Sequence, residues 1–234
     1  MLFPLAGTGS IAILARAVVG FALLFVMVGS ATAFDLKTIE GGDANVTTFS
    51  VSGPIEAGDT LKLRAFVGNL DQNRPMVAEL TIRGGLYGEA RTIGKFIYQA
   101  KIRTVAPGKG AQCNGPCLLV LLAGRDPDTG DPSFVKYSTG KINLLNTSLK
   151  FEDRQYSADE YLRQVATTQN LFKDTADYLM TVKARPMVLH QFFVLLPNAK
   201  AEFRELTNED ALNLGIPVFD EKTNQLIKPL PYRR

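Results

Sequence analysis

The chain has 234 residues, 26 Lys and Arg against 23 Asp and Glu for a formal net charge of +3, and 46% hydrophobic residues. A near-neutral chain whose basic residues are scattered lacks the charge field that recruits nucleic acid or an anionic membrane surface. Its apolar content also excludes disorder for most of its length. In chain order, the first element is a leader. From Ile11 to Val28 the residues are apolar apart from Arg16 and glycine, and Ala31-Thr32-Ala33 then supplies the small side chains of a signal-peptidase site before polar Asp35. Residues 1–33 are expected to be a cleaved signal peptide, with a single uncleaved membrane anchor as the alternative. Without them, 25 basic and 23 acidic residues leave +2. The remaining length suits one domain, 34–219, followed by a flexible tail, 220–234, rich in Lys, Arg and Pro.

Within that domain strands and helices alternate. Val46 to Ser52 has strand alternation and stops at Gly53-Pro54, while Asp59 to Leu70 spaces Leu61, Ala65, Phe66 and Leu70 as a helix does. Met76 to Ile82 predicts a second strand ending in Arg83-Gly84-Gly85. Tyr87 to Ala100 predicts a second helix through Ile93, Phe96, Ile97 and Ala100. Ile102 to Val105 is a third strand, and the wholly apolar Leu118 to Ala123 is a buried helix. Beyond the turn-rich Asp126 to Pro132, Phe134 to Tyr137 and Lys141 to Leu145 are short strands. Ser157 with Glu160, and Thr207 with Asp210, are capping-box starts to two later helices, the second stopping at Gly215. Such alternation predicts an α/β fold with a mostly parallel sheet flanked by helices and a C-terminal helical segment.

Four features stand in a telling order: Gly53-Pro54-Ile55, the Gly84-Gly85 strand end, the Cys113-Asn114-Gly115-Pro116-Cys117 turn before Leu118 to Gly124, and Glu205 to Ile216. Together they resemble the ClpP/crotonase superfamily, a repeated β-β-α spiral, and within it the exported bacterial ClpP-like proteins. The resemblance spans Val46 to Ile216. It implies that Gly84 and Gly85 expose backbone N–H groups to an oxyanion, and that the turn before the apolar helix delivers a serine nucleophile. Here that serine position is Gly115, followed by Pro116, and the strand expected to carry a histidine base is Phe134-Val135-Lys136-Tyr137-Ser138. The resemblance therefore implies a degenerate site with no catalytic residue, Gly84, Gly85, Gly115 and Pro116 being its vestige. It also implies self-association into a homo-oligomer.

Each of these residues has a plainer explanation. Glycines after a strand serve tight turns that need positive φ, and a proline before a helix suits its fixed φ at N1. His190, the one histidine, lies on an apolar segment as core histidines do and has no second imidazole to share a metal, so no metal site is expected. Lys136 and Ser138 share a strand face, which permits a Ser–Lys pair that no motif supports, with Ser133 beyond it. Cys113 and Cys117 are disulfide candidates in an exporting context. Their spacing allows a bridge if the segment is a turn entering a helix, and aims the Cβ atoms poorly if it is helical throughout. The functional expectation is a periplasmic or secreted pseudoenzyme without cofactor that binds peptide or an envelope protein, or assembles with itself. Neither nucleic acid nor, after leader removal, membrane is an expected partner. The alternative is an active periplasmic hydrolase with a relocated nucleophile, or crotonase-type oxyanion chemistry from N–H groups near Gly84 and Gly115.

Overall fold

A computed structural model describes residues 33–41, 43–145, 155–188 and 203–230, and Ala33–Arg234 forms one compact unit. Residues 1–32 of the expected leader, and His190, lie outside the described residues. The main sheet has seven strands in the order β1-β2-β3-β4-β6-β9-β10. Its members are β1 (Asp35–Thr38), β2 (Thr47–Ile55), β3 (Met76–Gly85), β4 (Arg103–Ala106), β6 (Phe134–Tyr137), β9 (Val218–Asp220) and β10 (Gln225–Ile227). The five inner strands run parallel, and β1 and β10 pair antiparallel at the two edges. A second sheet joins β5 (Gln112–Asn114), β7 (Lys141–Leu145) and β8 (Phe203–Leu206). The fold is thus α/β, a mostly parallel sheet flanked by helices, as the alternating pattern predicts. The β-β-α form is visible in β4, β5 and the helix after them, with β5 leaving the main sheet for the second one.

Period-two burial orients the sheet. In β2, Phe49, Val51 and Ile55 are buried between half-buried Thr48, Ser50 and Ser52, and in β3 Ala78, Leu80 and Ile82 are buried between Val77, Glu79 and Thr81. The apolar face meets α1 (Asp59–Gly68), α2 (Tyr87–Gln99) and α3 (Cys117–Leu122). Phe49 of β2 stacks 5.6 Å from Phe66 of α1, and Thr104 of β4 donates its hydroxyl to the Leu121 carbonyl of α3 at 2.6 Å. All six residues of α3 are buried, the outcome expected of a helix that is apolar all round.

α4 (Ala158–Thr181) and α5 (Asn208–Asn213) begin with the two capping boxes read from the sequence. The carboxyl half of α4 docks through Tyr178, which is buried with its hydroxyl donating to the Leu119 carbonyl at 2.6 Å. Gly94 of α2 leaves the space: a Cβ there would collide with the Tyr178 ring and hydroxyl. Buried Arg125 fastens the same corner. Its guanidinium donates to the carbonyls of Leu122, Gly124 and Val182 and lies 4.7 Å from the Tyr98 ring centroid. One cation so satisfies orphan carbonyls at the carboxyl ends of α3 and α4.

Two of the departures from the sequence reading lie in the main sheet. β2 does not stop at Ser52 but continues through Gly53, at φ 91, and Pro54 to Ile55. The continuation shifts register: Gly53 pairs with Ile82 but Ile55 with Gly85, so two steps on β2 span three on β3. Such an extra residue is a β-bulge, which glycine and proline accommodate. Beyond Asp220, where the sequence predicts a tail, β10 folds back on β9, with Leu226 opposite Phe219, and Arg185 donates to the Leu230 carbonyl at 3.1 Å.

Candidate functional site

The carboxyl ends of parallel strands are where α/β sheets place their sites, and both glycine turns lie near them. The bulge described above delivers the first. Gly84 and Gly85 take φ 138 and 116, values only glycine adopts without strain. Gly84 has open space where a side chain would stand, whereas a Cβ on Gly85 would collide with the backbone of Ile55. The Leu86 N–H donates to the Ile55 carbonyl at 2.9 Å, closing the turn against β2. Two carboxylates brace the surrounding helix starts. Buried Asp59 accepts from the Glu56 N–H at 2.6 Å and from Lys62 at 2.7 Å, and Glu89 of α2 accepts from the Thr60 N–H of α1 at 2.7 Å. Each satisfies a donor that a loop or helix start leaves orphaned.

The second turn connects β5 to α3 and is shut. Gly115 and Pro116 are buried, and the Gly115 N–H donates to the Asn143 carbonyl of β7 at 2.7 Å. Pro116 has no N–H to offer. The Asn143 side-chain amide reaches across to the Asn114 side-chain oxygen, also at 2.7 Å. Cys113 and Cys117, both buried, are joined in a disulfide with their Cα atoms 5.2 Å apart. Of the two geometries the spacing permits, the turn entering a helix is therefore the one present. Gly115 at φ 54 bends the chain, and Pro116 stands at the N-cap of α3, one residue before the N1 position that the sequence reading gives it.

Between the end of β3 and the loop leading into β5 lies an open cleft of about 330 Å³ lined by Thr81, Arg83, Gly110, Ala111 and Gln112. None of Gly84, Gly85, Gly115 and Pro116 lines it; Arg83, next to Gly84, and Gln112, three residues before Gly115, do. The remaining candidates lie elsewhere. Lys136 is 2% exposed, and its ammonium donates to the Asn208 side-chain oxygen at 2.5 Å and the Tyr137 carbonyl at 3.2 Å. Burial lowers its pKa from the ordinary lysine value, while Glu205 and Glu221 push it back up. Ser138 accepts instead from the Glu221 N–H at 3.4 Å. Ser138 lies one residue past the end of β6, no hydrogen bond joins it to Lys136 among the described contacts, and the lysine serves as a buried link between β6 and α5. Among the described residues no group of three or more His, Cys, Asp or Glu is placed to hold a metal ion, and no helix is long and apolar enough to cross a membrane.

Asn143, Asp59 and Glu89 shape the two turns and are not legible as such in the sequence. Asp59 carries a faint signal, an acid just after Gly58 at a helix start. Asn143 carries none, because its role depends on β7 pairing with β5 across 26 intervening residues.

No protein-family model and no curated protein matches the sequence. Among solved structures, a chain described as 1510-N, a membrane-bound stomatin-specific protease in a serine-to-alanine variant, is similar. It is 15% identical, the match covers 74% of this chain and 77% of that one, and the TM-score is 0.48. That degree of likeness adds no argument about chemistry.

Proposed function

We propose that the chain is an exported ClpP-like protein that has lost serine-peptidase chemistry and works by binding peptide or protein, or by assembling with itself. The observation that carries this reading is the state of the Gly115–Pro116 turn. At the nucleophile position there is no side chain, the Gly115 N–H is already donated to Asn143, and Pro116 supplies no second donor. An oxyanion needs preorganised N–H groups that are not otherwise engaged. The same observation removes support from crotonase-type chemistry, which would draw on the N–H at Gly115.

Binding draws its support from what stays open. The 330 Å³ cleft beside Gly84 holds the exposed Arg83, and α4 turns Leu162, 61% exposed, and Met180, 68% exposed, toward solvent. Exposed large apolar side chains on a capped helix are the raw material of an assembly surface.

Hydrolysis assays on the purified chain with fluorogenic peptides and p-nitrophenyl esters test the reading. The expected result is turnover at the buffer rate, for the natural chain and also for Gly115→Ser combined with Pro116→Ala, since a hydroxyl and an N–H still lack a base. Turnover above background that disappears in Gly85→Pro would overturn it. Sedimentation velocity addresses assembly, with a species heavier than one chain expected.

A further inference from the structure

At the opposite ends of the same strands lies a second cavity. It has a volume of about 440 Å³ and is bounded by the first residues of β3, β4 and β6, by Pro217 before β9, and by the segment around β10. Its floor is the face of the sheet turned away from the apolar core: Val77, Val105 and Val135, with Val77 opposite Arg103 and Val105 opposite Val135 in register. Leu226 and Pro229 wall one side. The volume falls within the usual range of about 300–1,000 Å³ for small-molecule sites, which are mostly apolar with a few convergent polar groups.

The charged groups among its lining are all cationic, beside the uncharged Thr104 and Ser133. Arg103, Arg185 and Lys228 line the cavity and no Asp or Glu does; Glu79 stands two residues past Val77 on β3, outside the lining. Arg103 spends one terminal nitrogen on Asp126 at 2.6 Å, while its Nε is buried without a hydrogen-bond partner. A buried guanidinium N–H with no acceptor carries a desolvation cost that an anionic oxygen would remove. Arg185 is held in place: its side-chain stem packs where a Cβ on Gly215 would stand, and it donates to the neutral Leu230 carbonyl at 3.1 Å, with no carboxylate paired to it among the described residues. Lys228 is exposed at the mouth.

We infer that this cavity binds a small amphiphilic carboxylate, its apolar body on the valine floor and its head group among Arg103, Arg185 and Lys228. A medium-chain fatty acid and the carboxyl end of a short apolar peptide both carry that chemistry. The site stands apart from the glycine turns, so it does not rest on the fate of the peptidase chemistry.

Titration calorimetry on the chain expressed in full, in the processed form the cell yields, tests the inference with four probes. These are decanoate, decanol, acetyl-Leu-Val-Phe and its C-terminal amide. Binding of one carboxylate at a 1:1 ratio is expected, with its uncharged counterpart at least about tenfold weaker, the size of one charge-assisted contact. Lys228→Glu, at an exposed position, is expected to weaken the carboxylate by a further factor of about ten while leaving the melting temperature unchanged. Leu226→Asp, which sets a carboxylate at the rim, serves as an independent second variant with the same expected loss. Preference for decanoate or for the peptide acid distinguishes the two sources. No binding by either acid, equal binding of acid and neutral probe, or acid binding unaffected by both variants would overturn it.

Discussion

The two glycine turns both stand between a strand and a helix, one as a glycine pair and the other as a glycine followed by a rigid proline, and they end in opposite states. At Gly84–Gly85 the backbone is held at φ 138 and 116, with open space beside Gly84 and the main chain pressed against Ile55. At Gly115–Pro116 the turn is buried, its one N–H is consumed by Asn143, and a disulfide spans it. The first is open, the second closed. Backbone shape alone therefore does not make an oxyanion site; the N–H groups must also be free of internal partners.

That contrast can be broken by substitution. The largest effect is expected at Gly85→Ala, where both the φ and the Ile55 backbone oppose a side chain: a loss of about 3 kcal/mol or more in urea unfolding. Gly84→Ala faces the φ penalty alone and should cost about 1–2 kcal/mol. Equal losses at the two positions would show that the approach to Ile55 is not the constraint. Replacing both Cys113 and Cys117 by Ala should cost about 2 kcal/mol in urea unfolding, the loop-closure entropy of so short a ring. Glu89→Ala, which strips the acceptor from the Thr60 N–H beside the first turn, should cost about 1 kcal/mol, the scale of a lost helix cap.

The smallest effect is a pH dependence in the loop that follows α3. Asp126 is held below the ordinary carboxylate pKa by the Thr129 N–H, by the Arg103 guanidinium and by the Asp128 N–H. A folded-state pKa below the unfolded one contributes stability that is fully present above the unfolded carboxylate range and is lost as pH falls through the folded value. Thermal melts of the natural chain should therefore decline on acidification more steeply than those of Asp126→Asn. Parallel curves would show that the carboxylate does not carry the dependence.

How much of this was legible depends on how local each signal is. Capping boxes at Ser157 and Thr207, the apolar α3 and the strand Phe134–Tyr137 need only neighbouring residues, and each stands where the sequence places it. The alternation of strands and helices likewise yields the parallel sheet. The second sheet is different. Gln112–Asn114 is three residues long and resembles a turn until β7 pairs with it, and β10 becomes a strand only by folding onto β9. At the site, the glycine and proline identities are legible at once, but the consumed N–H of Gly115 depends on a partner 28 residues away. No periodicity encodes such a contact.

The central claim, a closed turn without an activated nucleophile, is tested most directly by incubating the purified chain with a fluorophosphonate serine probe and weighing the intact protein. The account predicts an unmodified mass, two hydrogen atoms short of the fully reduced chain because Cys113 and Cys117 are bridged. A single stoichiometric adduct would contradict it, because only an activated serine elsewhere in the chain could have formed that bond.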